Sequence, residues 1–347
     1  MKKILTFGEI MLRISPWQNS ERVIQTNLFR VEPGGSESNV AAALAMLGHE
    51  VGFLTCLPDS PLSKIVFRYL KGVGVDTSGI VTKPGRLGTY WTENGIGPRP
   101  YAVHYDRSDS AFSQIEYQDH DWQTLAAQAR LFHTSGITPA ISRATAMVIE
   151  KALAAFSKQT LVSLDLNYRS KLWDWVGHPK ESKAKDIMAR LSSHADILLG
   201  NHADFQDSLG FNEKSTKDPD VYPRIAEKAF KRFPKLKWVA INLRKTDSAS
   251  ENTWSGLLFK KGVKNNRGVR GPEIVLRNIV DRVGTGDSFA AGIIHGILKY
   301  PENPQMIIDF ATALGALNHT VRGDTSLFSE NDVMHSLNTD FSGGIIR

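Results

Sequence analysis

Five short, largely apolar runs rich in Val, Ile and Leu punctuate the chain: Ile4 to Ile10, Val51 to Thr55, Leu161 to Leu166, Ile197 to Leu199 and Trp238 to Ile241. Runs of this kind, without polar alternation, suit strands covered on both faces. Helical patterns lie between and after them, at Glu37 to Leu47, Leu62 to Lys71, Arg143 to Lys158, Tyr222 to Phe233, Asp287 to Lys299 and Pro304 to Asn318. Strand and helix alternating in this way predict an α/β fold, with a mostly parallel central sheet flanked by helices.

Two stretches depart from the alternation. From about Leu12 to Val31, and from about Arg86 to Asp109, the chain is turn-rich, aromatic and strand-like, with Gly88, Gly95, Gly97, Pro98 and Pro100 set among Tyr90, Trp91, Tyr101 and Tyr105. A helix-bearing stretch separates the two, so a small sheet built from them would be discontinuous in sequence.

Composition narrows the class. The 347 residues carry 42 basic and 36 acidic side chains, a net charge of +6, with 41% hydrophobic residues, which suits one large α/β unit and excludes a disordered chain. Cys56 is the only cysteine, so no internal disulfide forms, and no paired Cys/His ligands suggest structural zinc. The longest apolar run, Val40 to Leu47, is far short of the roughly 20 residues of a membrane span, and Glu9 and Arg13 interrupt any signal-peptide core. A cytoplasmic protein without a membrane partner is expected. The basic residues are scattered rather than clustered, which speaks against nucleic acid and suits an anionic small molecule.

Two glycine-bearing segments carry chemistry. Asp281-Arg282-Val283-Gly284-Thr285-Gly286-Asp287 opens a helical pattern. Backbone N–H groups at a helix start, unshielded by side chains, make a cradle for a phosphate or oxyanion. An acid within such a cradle is useful as a base that takes a proton from an attacking hydroxyl, so Asp287 is the candidate base; a plain turn capped by Asp287 would share the pattern. Upstream, Gly34-Gly35-Ser36-Glu37-Ser38-Asn39 leads into another helix. Paired glycines permit close approach of a ligand and Asn39 offers both donor and acceptor to sugar hydroxyls, or closes a local turn.

In their order and wide separation these two elements resemble the signature regions of the ribokinase-like, phosphofructokinase B type carbohydrate kinases. The likeness covers nearly the whole chain and implies one domain over residues 1–347: a three-layer ribokinase-like fold with a β lid inserted at about 12–31 and 86–109. It implies transfer of the γ-phosphoryl of ATP to a sugar hydroxyl, with Asp287 as base and Gly284, Thr285 and Gly286 as anion hole. Arg282 and Thr285 depart from the usual motif without removing the glycines. Asn201-His202-Ala203-Asp204 stands where the family has Asn-x-x-Glu, which assigns Asp204 an indirect part in holding Mg2+; a helix-start Asp is the plainer reading. A monovalent cation is a further cofactor that the likeness admits.

Within the family, Tyr105-Asp106-Arg107, Asp165-Leu166-Asn167-Tyr168-Arg169, Gly136-Ile137-Thr138-Pro139-Ala140 and Gly323-Asp324 are similar to bacterial 2-keto-3-deoxygluconate kinases. By this similarity Gly34, Gly35, Tyr90, Tyr105, Arg107, Arg169 and Asp324 line the sugar-acid site, while Asn167, Asn201 and Asn242 lie toward ATP. Arg244 replaces the glycine of the usual nucleotide loop. Two buried guanidinium groups have a use if the substrate carries a carboxylate, which Arg grips with charge-assisted hydrogen bonds. The expected activity is phosphorylation of 2-keto-3-deoxygluconate; the alternatives are another sugar such as fructose, or a sugar-sensing protein without catalysis. The lid's exposed edges or aromatic face imply a homo-oligomer paired through it.

Overall fold

A computed structural model of the chain describes residues 2–213, 218, 220–341 and 343; the rest of the expected 1–347 domain lies outside the described residues. The main sheet has ten strands. From one edge they run Val269–Arg270, Asn252–Lys260, Trp238–Thr246, Ile197–Gly200, Leu161–Asp165, Ala129–Ser135, Lys3–Phe7, Val51–Leu57 and Ile80–Thr82, with Ile274–Leu276 also paired to Asn252–Lys260. Every pairing from Trp238–Thr246 to Ile80–Thr82 is parallel, and Asn252–Lys260 turns the edge antiparallel. One cluster of buried side chains, including Phe132, Ile149, Phe156, Met188 and Ile225, packs one face, and a second, including Val40, Leu44, Val66, Ile293 and Leu314, packs the other. Apolar helices on both faces make the three layers.

The chain builds outward from Lys3–Phe7 in one direction and returns to pair Ala129–Ser135 on its other side. In open α/β sheets ligands bind beyond the carboxyl ends of strands at such a reversal. The first strand, expected to run from Ile4 to Ile10, ends at Phe7, and Gly8 follows where a Cβ would overlap the carboxylate of Glu37. The chain then leaves the sheet and enters a separate four-stranded lid in the order Phe29–Gly34, Met11–Pro16, Thr89–Glu93 and Ala102–Asp106. Both turn-rich segments thus contribute two strands each, as the sequence suggests.

Five strands of the main sheet escape the sequence pattern, the long ones being Ala129–Ser135 and Asn252–Lys260. Ala129–Ser135 is central, but its Arg130 and His133 break the apolar run. His133 is fully buried and its Nδ1 pairs with Ser163 Oγ at 3.0 Å, so a polar side chain is accommodated where periodicity anticipates an aliphatic one. Asn252–Lys260 mixes Thr253 and Ser255 with its apolar residues. Trp173 is buried and Trp175 is half-buried, its indole N–H donating to Ala140 O at 3.0 Å. The segment after Gly72 is a turn with Gly74 at φ 82°.

His133 gives the fold a pH signature. Burial pushes it from 6.5 down to about 3, so the native state keeps it neutral while the unfolded chain protonates below pH 6.5. Its contribution is whole above pH 6.5 and is lost as pH falls toward 3, by about 1.4 kcal/mol per pH unit. Several buried carboxylates have raised pKa values and act in the opposite sense, so the histidine is isolated by difference. The stability gap between the parent and His133→Gln, from denaturant curves at pH 7.5, 6.5 and 5.5, is expected to be constant down to 6.5 and to narrow below it. A gap independent of pH would refute this.

Candidate active site

The helix Thr285–Lys299 begins on Gly284, which adopts φ 75° and backs onto the carbonyl of Asp324, where a Cβ would overlap. Only glycine satisfies both conditions. The first N–H groups of this helix, at Thr285 and Gly286, have no partners within it, and the space beside the Cα of Gly286 is open. Together with Gly284 they line a cavity of about 390 Å³ beyond the carboxyl ends of the parallel strands, a size suited to a small ligand.

Asp287, in the first helical turn, is buried at the cavity wall. Its Oδ1 accepts from Ser36 Oγ and its Oδ2 from Asn39 Nδ2, both at 2.7 Å. Asn167 Nδ2 in turn donates to Ser36 Oγ at 3.0 Å. Burial raises the Asp287 pKa to about 6, against the lowering effect of its two hydrogen bonds. It is thus a carboxylate held in one orientation and made more basic than usual, which is what a general base near neutral pH requires.

The paired glycines are explained by contact. A Cβ at Gly34 would overlap the Tyr90 hydroxyl, and one at Gly35 the carbonyl of Glu9. Asn39 is placed differently from expectation: its amide is directed at Asp287 rather than left free for a sugar hydroxyl, because the helix Ser36–Met46 packs against Thr285–Lys299. Glu37, one residue beyond Ser36, is buried and accepts from Ser135 N at 3.0 Å, Ser135 Oγ at 2.7 Å and Thr138 Oγ1 at 2.8 Å, which anchors that helix; burial raises its pKa.

Tyr90, Tyr105, Arg107, Arg169 and Asp324 all line the same cavity. Tyr90 donates to Asp324, and its ring stands 5.9 Å from that of half-exposed Tyr105. Arg107 is buried, but Glu9 accepts from its Nε at 2.8 Å and also from its Nη2. Nη1 alone has no hydrogen-bond partner among the described residues. Arg169 corrects the expectation of a second buried guanidinium: it is exposed at the mouth of the cavity, because it lies four residues past the end of its strand. Among the described residues no carboxylate lies within 4 Å of it.

The rest of the lining carries charges of both signs. Asn167, Asn201, Asn242, Arg244 and Arg282 belong to it, with Asp165 and Asp204. Burial lowers the Arg244 pKa, and the charges of Arg282 and Arg169 lower it further, an arrangement that an anion would relieve. Asp204 is a helix-start acid, yet a buried one: Oδ1 accepts from Tyr168 N and Oδ2 from Asn201 N, both at 2.9 Å. Asp165, which sequence reasoning missed as a site residue, is buried with a single hydrogen bond, from Asn167 N at 3.2 Å. Burial, then the Asp204 and Asp287 charges, raise its pKa well above the usual range. The buried carboxylates of Asp165 and Asp204 are hard oxygen donors of the kind that suit Mg2+.

Glu9, Ser36 and Asp165 were missed because single polar residues in apolar or glycine-rich surroundings carry no periodic signal. Asp165 ends a strand and Asn167 follows two residues later, a spacing that could have drawn attention to both.

Known proteins resemble this chain over nearly its whole length. The solved structure of the 2-dehydro-3-deoxygluconokinase of Thermotoga maritima is 37% identical, covers 97% of this chain and all of that one, and superposes with a TM-score of 0.90. A carbohydrate kinase of Listeria grayi is 31% identical over 96% of this chain and 99% of its own, with a TM-score of 0.87. The 2-dehydro-3-deoxygalactonokinase of Haloferax volcanii is 30% identical over 332 residues, 95% of each chain. Residues 1–331 match the pfkB family of carbohydrate kinases, and the chain belongs to that family.

Proposed function

We propose that this kinase transfers the γ-phosphoryl group of ATP to the terminal hydroxyl of 2-keto-3-deoxygluconate, giving the 6-phosphate. The observation that carries the reading is the convergence on one cavity of the Asp287 base, the helix-start amides and two arginines, Arg107 and Arg169. Relatives named for sugar-acid substrates support the substrate class. An oriented, basic Asp287 argues against a sensor without catalysis.

The sugar acid enters beneath the lid, with its carboxylate toward Arg107 and Arg169 and its hydroxyls toward Tyr90 and Asp324. Asp287 takes the proton from the terminal hydroxyl as the oxygen attacks phosphorus, while Ser36 and Asn39 keep its lone pairs aimed. Charge gathering on the transferred group is met by the amides of Gly284, Thr285 and Gly286. ATP lies along Asn167, Asn201 and Asn242, its phosphates toward Arg244 and Arg282. Mg2+, held through water by Asp165 and Asp204, would neutralise phosphate charge in the transition state. ATP use and an unpaired, buried Cys56 suit the cytoplasm.

The lid's outer strand Ala102–Asp106 has one edge without a strand partner among the described residues, and we propose that a second copy covers it. Sedimentation at micromolar concentration is expected to show a dimer or larger assembly; a monomer would exclude the pairing and leave the kinase untouched.

The base is tested by Asp287→Asn, which keeps the size of the side chain and removes its basicity. Substrate binding is expected to persist, with kcat reduced roughly 10²- to 10⁴-fold. In the parent, kcat/KM is expected to rise with pH through about 6, where the Asp287 carboxylate becomes deprotonated. Turnover of Asp287→Asn within a few-fold of the parent would exclude the assignment.

Substrate class is tested at the arginines. Arg107→Met or Arg169→Met is expected to lower kcat/KM for 2-keto-3-deoxygluconate by roughly 30-fold or more while leaving the KM for ATP nearly unchanged. Fructose is expected to be a poor substrate of the parent. Equal turnover of fructose, or near-normal arginine variants, would put a neutral sugar in place of the sugar acid; a panel including the 2-keto-3-deoxygalactonate epimer sets the C4 preference.

A further inference from the structure

Arg13 lies in the lid strand Met11–Pro16, and its side chain is 1% exposed. The guanidinium is used on three sides. Nε donates to Thr92 Oγ1 at 3.1 Å, Nη1 to Asp324 Oδ1 at 2.6 Å, and Nη2 to Asp281 Oδ2 at 2.6 Å and to Tyr101 Oη at 3.0 Å. Both carboxylates belong to the catalytic frame. Asp281 begins the anion-hole loop and shapes it, its Oδ1 accepting from the amides of Arg282 at 2.8 Å and Val283 at 3.1 Å. Asp324 lines the sugar cavity, and its carbonyl is the atom against which Gly284 packs.

A monovalent cation serving this loop would need oxygen ligands beside it. Among the described residues, the carboxylates that border the loop apart from the base are Asp281 and Asp324. All four of their oxygens are engaged: Asp281 Oδ2 also accepts from Gly323 N at 3.3 Å, and Asp324 Oδ2 accepts from Tyr90. The position between these two carboxylates does not fit such an ion, because a fixed guanidinium already occupies it. Burial alone would lower the Arg13 pKa, but the charges of Asp324 and Asp281 outweigh it, so the cation is permanent.

We infer that Arg13 is a positioning residue that supplies from the lid the positive charge a bound monovalent cation would otherwise provide, fixing the anion-hole loop and Asp324 relative to one another. The inference rests on the kinase reading for its effect on turnover, but not for its effect on ion binding. Because Thr92 and Tyr101, which share Arg13, also belong to the lid segments, the loop is in register with the lid without any added salt.

The test compares the parent with Arg13→Ala and Arg13→Lys at constant ionic strength, in tetramethylammonium chloride or in potassium chloride, reading both thermal midpoint and turnover. The parent is expected to show the same midpoint in the two salts and turnover within about two-fold. Arg13→Ala is expected to lose roughly 10²-fold or more in kcat, as displacement of catalytic groups does, with a much smaller change in the KM for the sugar acid. Potassium is expected to raise its midpoint and to restore part of its turnover, since the ion can enter between the two carboxylates. Arg13→Lys, which keeps the charge and loses the fork, is expected to fall between the two and to remain insensitive to potassium. A parent stabilised and activated several-fold by potassium overturns the inference, as does an Arg13→Ala protein with parental kcat or with no potassium response. Should Arg13→Ala fail to fold, the parent and Arg13→Lys decide. Should the parent phosphorylate no sugar acid, the kinase reading falls while the midpoints still decide the place of the cation.

Discussion

A single buried guanidinium joins the two sheets of this protein. Arg13 reaches out of the lid to Asp281 and Asp324, which sit on two different loops at the carboxyl end of the main sheet. Ion pairs withdrawn from water gain little over apolar packing, but removing one member leaves the others uncompensated, at a cost of about 3–5 kcal/mol. The lid, the anion-hole loop and the Asp324 turn are therefore held as one arrangement. Tyr90 and Gly34 complete it, since the hydroxyl bonded to Asp324 occupies the place where a larger residue than Gly34 would put its Cβ.

Around this frame the cavity gathers several charges of each sign. Asp165 feels the charges of Asp204 and Asp287, and Arg244 those of Arg282 and Arg169, while Arg169 offsets the acids and Asp204 offsets Arg244 in part. Buried groups of one sign raise each other's free energy, and a fold tolerates them where a ligand of opposite charge relieves the repulsion. Mg2+ suits the acids and a polyphosphate suits the arginines. Glu9 plays a similar part for Arg107, holding its guanidinium in one plane so that little side-chain entropy is lost when an anion binds.

Much of this was legible beforehand. The apolar runs marked five strands of the main sheet, the helix Pro304–Asn318 stands where its pattern lies, and both lid segments form one sheet. Asp287 and Gly284 to Gly286 were legible because glycines before a helix restrict what the local backbone can be. Ser36, Glu9 and Asp165 were not, since each is a single polar residue whose meaning depends on a partner about 40 or more positions away. Asn39 and Arg107 were recognised as site residues, but the groups they touch were not: one orients Asp287, and the other is clasped by Glu9.

The sequence by itself determined the layered architecture and the location of the glycine loop that opens the helix Thr285–Lys299, because strand burial, helix periodicity and glycine-permitted turns are properties of neighbouring residues. Only the tertiary structure decided how charge is distributed. Whether an arginine faces a substrate, a carboxylate or water depends on which distant segments the fold brings within about 3 Å of it, the range of a hydrogen bond. Arg13, one basic residue in an apolar strand, reads in sequence as an interruption, and in the folded protein it is the cation on which the lid and the anion loop meet.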